Sequence, residues 1–193
     1  MTLSSDPAKS NQLSFRTKVA YGLGDLGPPI ASNLQLFFLL PFLTVVAGLP
    51  AGVAGTILAI SKVWDAINDP MIGILSDKTH TRWGRRRPWI LFGAIPFGLA
   101  FFANWLVPFP GNTTALFWYY IAIAVLFNTL YTAVNLPYSA LTPELTQDYD
   151  ERTSLNQFRF FFSILGSLLA GVLHPLIIDR FQDNLQWGYV LVS

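Results

Sequence analysis

"LFFLLPFLTVV", residues 36–46, decides the architecture of this chain. It carries no charge, and its apolar side chains fill every register. A strand of a membrane barrel would alternate in polarity over about ten residues, and nothing alternates here. The stretch reads as helix, and the composition around it says where that helix lies. The chain has 193 residues, 52% of them hydrophobic, 15% aromatic and only 12% charged. A soluble domain carries about 25% charged residues. The charges also cluster, leaving apolar runs near the roughly 20 residues that a helix needs to cross a bilayer. The expectation is an all-α integral membrane protein. A polar tail covers residues 1–18, and helices run over about 19–47, 51–76, 88–108, 114–141 and 156–179. A sixth helix starts near residue 187.

Lysine and arginine orient these spans. Lys9, Arg16 and Lys18 precede the first helix; Lys78, Arg82, Arg85, Arg86 and Arg87 follow the second; Arg152 follows the fourth. The loops after the first and third spans have none, and Arg180 follows the fifth. The positive-inside rule then places the N-terminus in the cytoplasm of a multi-pass cell-membrane protein. "RWGRRRP" (residues 82–88) is charged as a contact with anionic headgroups would require. The polar N-terminus lacks the apolar core of a cleaved signal peptide, so none is expected. Cysteine is absent, which removes disulfides, thiolate metal sites and a cysteine nucleophile. No Ser/His pair or histidine cluster supports an enzyme; His80 falls in a loop and His174 stands alone. No nucleic-acid partner is expected.

"GLGDLG" (residues 22–27) matches the dinucleotide fingerprint letter for letter, yet it lacks the preceding strand and the acid about 20 residues on. Its glycines are better suited to letting the first helix bend or pack closely.

Ionisable groups inside the second apolar run need a reason. Lys62, Asp65 and Asp69 are spaced i, i+3, i+7 and share one helical face. Each charge at the centre of a membrane helix costs about 2.5–3.5 kcal/mol, so three cost on the order of 8–10 kcal/mol before pairing. Their face must therefore turn inward. Asn128, Thr132 and Asn135 form a polar stripe on the fourth helix, and Asn156, Arg159 and Ser163 form one on the fifth. Asp25, Ser32 and Gln35 lie on one side of the first. Gly52, Ala59, Ala66 and Gly73 recur every seven residues on the second, a seam that admits a close neighbour. One reading is structural, with Lys62 and Arg159 neutralising Asp65 and Asp69. The other is functional: two carboxylates a turn apart, with Asn68 and Thr132 as neutral oxygen donors, suit a hard cation. Pro70 leaves the Ala66 carbonyl without its helical donor, as happens where backbone lines a cavity.

Three blocks carry a family likeness: "YGLGDLG" (residues 21–27), "KVWDAINDPMIGILSDKTHTRWGRRRPWI" (residues 62–90) and "NLPYSALTPELTQDYDERTSLNQFRFF" (residues 135–161). In this order they resemble the glycoside–pentoside–hexuronide:cation symporters, the melibiose-permease-like branch of the major facilitator superfamily. Vertebrate lysolipid symporters share the pattern. The resemblance implies cation-coupled uptake, not enzymatic activity, by two six-helix halves, of which this chain would hold the incomplete N-terminal one. The partners implied are the bilayer, a small substrate such as a sugar or glycoside, and a C-terminal half or second subunit.

Residue by residue, the resemblance implies a site for Na⁺ or H⁺ at Asp65, Asn68, Asp69 and Thr132. It implies substrate contacts at Arg159, Asn135, Lys62, Asp25 and Tyr138. Lys62 stands where relatives often have arginine, and Arg159 matches the helix-five arginine. The family's sugar-binding acids fall on Pro29 and Asn135, its stacking tryptophan falls on Ser139, and Asp25 lies one turn from the expected acid. The alternatives are a lysolipid-like substrate, or a non-transporting membrane subunit whose buried charges are structural.

Overall fold

The structure is a computed structural model that describes residues 13–181 and 185–192. Lys9 and most of the tail expected over residues 1–18 lie outside these. Helices account for the described architecture, in the order α1 (Phe15–Leu23), α2 (Gly27–Pro41), a π-helical turn (Phe42–Val46), α3 (Ala51–Lys78), α4 (Arg87–Ala103), α5 (Thr113–Ser139), α6 (Thr142–Leu145), α7 (Tyr149–Arg180) and α8 (Leu185–Val192). Phe15–Val46, Thr113–Leu145 and Tyr149–Arg180 are each long and apolar enough to cross a membrane. The 28 residues of α3 would reach about 42 Å, but Lys62, Asp65, Asp69, Asp77 and Lys78 interrupt their apolarity. The apolar α4 has 17 residues.

The first span is broken, not continuous over residues 19–47. α1 starts earlier, at Phe15, because the Ser14 hydroxyl accepts the Thr17 N–H at 3.2 Å and caps it. The α-helical ladder is interrupted at residues 24–26, where Asp25 and Leu26 donate to Gly22 and Leu23 three residues back. Gly24 and Leu26 keep right-handed helical dihedrals, and Pro28 and Pro29, which need no helical donor, open α2. Pro41 then precedes a widening of α2 into its π turn. The third expected span, 88–108, ends at Ala103. There the Asn104 carboxamide donates to the Ala100 carbonyl at 2.8 Å, and Pro108 and Pro110 follow. α7 starts seven residues before the expected position 156, since Asp148 accepts the Glu151 N–H at 2.9 Å. Its first turns are polar, so apolarity alone misses them.

α5 lies between α3 and α4, and α7 packs along both pieces of the first span. One core cluster joins α2, α3, α4, α5 and α8 around Leu34, Phe42, Ile57, Trp105, Tyr120 and Phe127. A smaller one joins Tyr21, Tyr138 and Leu155. Glycines permit the closest crossings. A Cβ at Gly22 would stand 2.6 Å from the Phe162 ring, and one at Gly166 would stand 2.8 Å from the Leu26 carbonyl oxygen.

The seam expected on α3 is split. Gly73 is half-buried, where a Cβ would stand 3.4 Å from the Leu136 side chain of α5, and the other three residues face elsewhere. Gly52, Ala59 and Ala66 are exposed, and a Cβ at Gly52 would touch nothing within 4 Å. The face of α3 that this chain buries carries Ala54, Ile57, Ser61, Asn68, Ile72 and Ser76.

Candidate functional site

α3 and α5 are stitched together by polar side chains. Asn128 donates to the Ser61 hydroxyl at 2.7 Å, the Trp64 indole to Thr129 Oγ1 at 2.9 Å, and Thr132 Oγ1 to Asp69 Oδ1 at 2.8 Å. Asn68 is buried, and its amide reaches the Asn128 carbonyl at 3.4 Å. Helical spacing explains the zipper: Ser61, Trp64 and Asn68 follow i, i+3, i+7, and Asn128 and Thr132 lie one turn apart. The Asn128–Ser61 bond, between two buried residues, gains from the absence of competing water, whereas Asp69 is exposed and its bond to Thr132 lies at the rim. Ser61, Trp64 and Thr129 were not among the expected site residues. The small-polar pattern on both helices was their one signal.

Asp65 and Asp69 sit at the edge of this zipper. Lys62 Nζ stands 3.5 Å from Asp65 Oδ2, with the lysine side chain 72% exposed and the aspartate 29%. The pair is a rim contact, not the buried lattice of the structural reading. A cleft of about 380 Å³ opens beside it between α2, α3 and α5. Its polar wall includes Ser32, Gln35, Ser61, Lys62, Asp65, Asn128 and Tyr131; its apolar wall includes Leu36, Leu58 and Phe127. Among the described residues, no group of three His, Cys, Asp or Glu side chains gathers as a metal cage. The oxygen donors here are two carboxylates supplemented by amide and hydroxyl groups.

The expected substrate residues do not converge on this cleft. Lys62 lines it. Asn135 lies one turn along α5 and donates to the Tyr131 hydroxyl at 3.2 Å. Asp25, Arg159 and Tyr138 form a separate buried cluster at the break between α1 and α2. Arg159 Nε lies 3.4 Å from Asp25 Oδ2, with side chains 15% and 8% exposed. The guanidinium also lies 5.2 Å from the Tyr138 ring centroid, within cation–π range. Tyr138 stacks on Tyr21, centroids 5.0 Å apart, and donates its hydroxyl proton to the Tyr21 carbonyl. Arg159 thus has Asp25 as its acid partner, not Asp65 or Asp69. The helix break explains this, because it brings an aspartate of the first span within reach of α7.

Residues 20–192 match the family model described as MFS/sugar transport protein. The chain belongs to this family. It is 56% identical over 187 residues to an uncharacterized symporter of Synechocystis sp., covering 94% of this chain and 34% of the relative. It is 32% identical over 168 residues to the isoprimeverose transporter of Lactiplantibacillus pentosus, covering 86% of this chain and 35% of that one. It is also 34% identical over 197 residues to the sodium-dependent lysophosphatidylcholine symporter 1 of Mus musculus, covering 97% and 36%. The chain therefore spans about a third of the length of the curated relatives it matches. Family and apolar helices together make it a multi-pass membrane protein of a transporter lineage, not an enzyme.

Proposed function

We propose that this chain is the N-terminal half-domain of a cation-coupled symporter in the cell membrane, with its N-terminus on the cytoplasmic side. The observation that carries the reading is the α3 edge, where Asp65 lines the cleft and Asp69, one turn on, is tied to α5 through Thr132. Two carboxylates with the Lys62 ammonium leave a net charge near −1, which suits a monovalent cation better than a divalent one. Hard oxygen donors suit Na⁺; protonation of a carboxylate is the alternative way to load the same charge. Asn68 and Thr132 would complete the donor set.

A half-domain also explains the exposed seam. Gly52, Ala59 and Ala66 form a close-packing surface that this chain leaves uncovered, as a second half crossing α3 would require. In such transporters one half rocks against the other around a site between them. Cation at the α3 edge would favour the arrangement that holds substrate in the cleft, so that the cation gradient drives uptake. The family supports a sugar or glycoside, with Lys62, Asn135 and Tyr131 nearest to the cleft as hydroxyl partners. The apolar wall of Leu36, Leu58 and Phe127, with the mouse relative's name, supports the second reading, a lysolipid-like amphiphile.

The test is melting temperature in detergent with Na⁺ against choline at equal ionic strength. Ligand at 100 times its dissociation constant stabilises the folded state by about 2.7 kcal/mol. The wild-type protein is expected to respond, and Asp65→Asn or Asp69→Asn to abolish the response without lowering salt-free stability. Indifference to Na⁺, Li⁺ and pH refutes the cation site and leaves the purely structural subunit. A response surviving both substitutions moves the site elsewhere.

A further inference from the structure

The geometry points to a binding site for one anionic phospholipid at the Arg82–Arg87 corner, with its acyl chain lying along α4. The five basic residues around this loop are not equivalent. Arg85 pairs with Glu144 at 3.4 Å, and Arg86 bridges Asp77 at 3.3 Å and Glu144 at 3.2 Å. Both local carboxylates are thereby occupied. Among the described residues, no carboxylate pairs with Arg82 or Arg87, and both arginines are exposed. These two line an open surface groove of about 490 Å³, completed by Trp83, Ile90 and Leu91.

The groove has the two chemistries of a phospholipid in the right order. Arg82 lies over the Trp83 ring, 5.0 Å from its centroid, and Trp83 stacks on Phe92 at 5.9 Å. The arginine is thus held by an aromatic at the level where tryptophans mark a membrane interface. Below it, α4 packs on α5 and leaves its opposite face bare: Leu91, Ile95 and Leu99 are 61%, 74% and 65% exposed. Their i, i+4, i+8 spacing makes one straight apolar stripe running away from the two guanidiniums. A planar guanidinium matches phosphate oxygens two at a time, so a pair of them selects a phosphate that lacks a compensating cation. A soluble anion would use the arginines and ignore the stripe; a lipid uses both.

The experiment is native mass spectrometry of the purified chain in neutral detergent. Phosphatidylglycerol and phosphatidylcholine of identical acyl chains are titrated, with inorganic phosphate as a third arm. Phosphatidylglycerol is expected to bind and the other two not. Each arginine near an anionic surface is worth about fivefold in affinity, so Arg82→Gln with Arg87→Gln weakens binding about twenty-five-fold. Lys78→Gln with Arg85→Gln removes the same charge and is expected to change it less than about twofold. Arg82→Lys with Arg87→Lys keeps the loop's charge but loses the bidentate fork, and is expected to bind more tightly than the Gln pair and more weakly than wild type, which separates loss of the site from loss of the fold. Brominated acyl chains are expected to quench tryptophan emission, and Trp83→Phe to remove most of that quenching. Equal losses in the two Gln pairs would reduce the corner to a diffuse positive surface and overturn the site. Equal binding of phosphatidylcholine, or competition by inorganic phosphate, would overturn it as well.

Discussion

Removing Asp25 alone is expected to destabilise the protein severely, and removing Arg159 with it to restore most of the loss. Both side chains are buried, and 3.4 Å separates Arg159 Nε from Asp25 Oδ2. At that distance an effective dielectric of about 20 gives an attraction of roughly 5 kcal/mol. The separation exceeds the roughly 2.7–2.9 Å of a strong charge-assisted hydrogen bond, which places the effect at the lower end of the range for broken buried pairs. Asp25→Ala is therefore expected to cost about 3 kcal/mol, chiefly because the guanidinium is left desolvated among Tyr21 and Tyr138. Arg159→Met is expected to cost about the same, by stranding the carboxylate. The double variant has no buried charge left and is expected within about 1 kcal/mol of wild type. Unfolding followed in one detergent for all four proteins yields the coupling energy, expected at about 5–7 kcal/mol from two single losses of about 3 and a double within about 1 of wild type. Additive losses, within about 0.5 kcal/mol, would show that the two charges do not sense each other and that solvent reaches the helix break.

Gly22→Ala and Gly166→Ala push a methyl into the Phe158–Phe162 turn and the Leu26 carbonyl, and are expected to lower stability by about 1–3 kcal/mol. Gly52→Ala meets nothing in this chain and should stabilise it by up to about 1 kcal/mol, yet destabilise a full-length transporter if a second half packs there; paired melts of the two proteins check this. His174 is buried against Phe38, centroids 3.7 Å apart, with no hydrogen-bond partner for either ring nitrogen among the described residues, so His174→Leu is expected to hold or raise the melting temperature. Single cysteines at the exposed Thr81 and Thr113 should report the orientation: an impermeant thiol reagent on intact cells labels position 113 and spares 81, and the reverse pattern would invert the topology.

The parts legible in the sequence were those written in local pattern. Apolar length announces a helix such as α5, and the i, i+3, i+7 run of Lys62, Asp65 and Asp69 announces a polar edge on α3 wherever its partner lies. Two features were not legible for the same reason. Nothing within "GLGDLG" distinguishes an interrupted hydrogen-bond ladder from a close crossing, and the chain uses it for both: Gly22 meets α7, and the i→i−4 ladder lapses at residues 24–26. Nor does a seam of small residues say whether its neighbour lies in the same chain. The Asp25–Arg159 pair depends on two residues brought together only by the packing of the first span on α7. Spacing rules do not reach that far, and on spacing alone the acids of α3 are the natural partners for Arg159.

That same packing has a consequence for how the protein is made. Lys18 finds its carboxylate in Glu151, 133 residues later, and Asn33 finds Ser167 after 134. At elongation rates of about 5–20 residues per second, the 133 residues between the first of these partners represent roughly 7–27 s. For that interval Lys18, Asp25 and Asn33 are made but the α7 partners that satisfy them in the folded chain are not. An unpaired carboxylate is costly in lipid, so the first span completes its polar pairing only when α7 joins it, and the two ends of this chain are set together late in its synthesis.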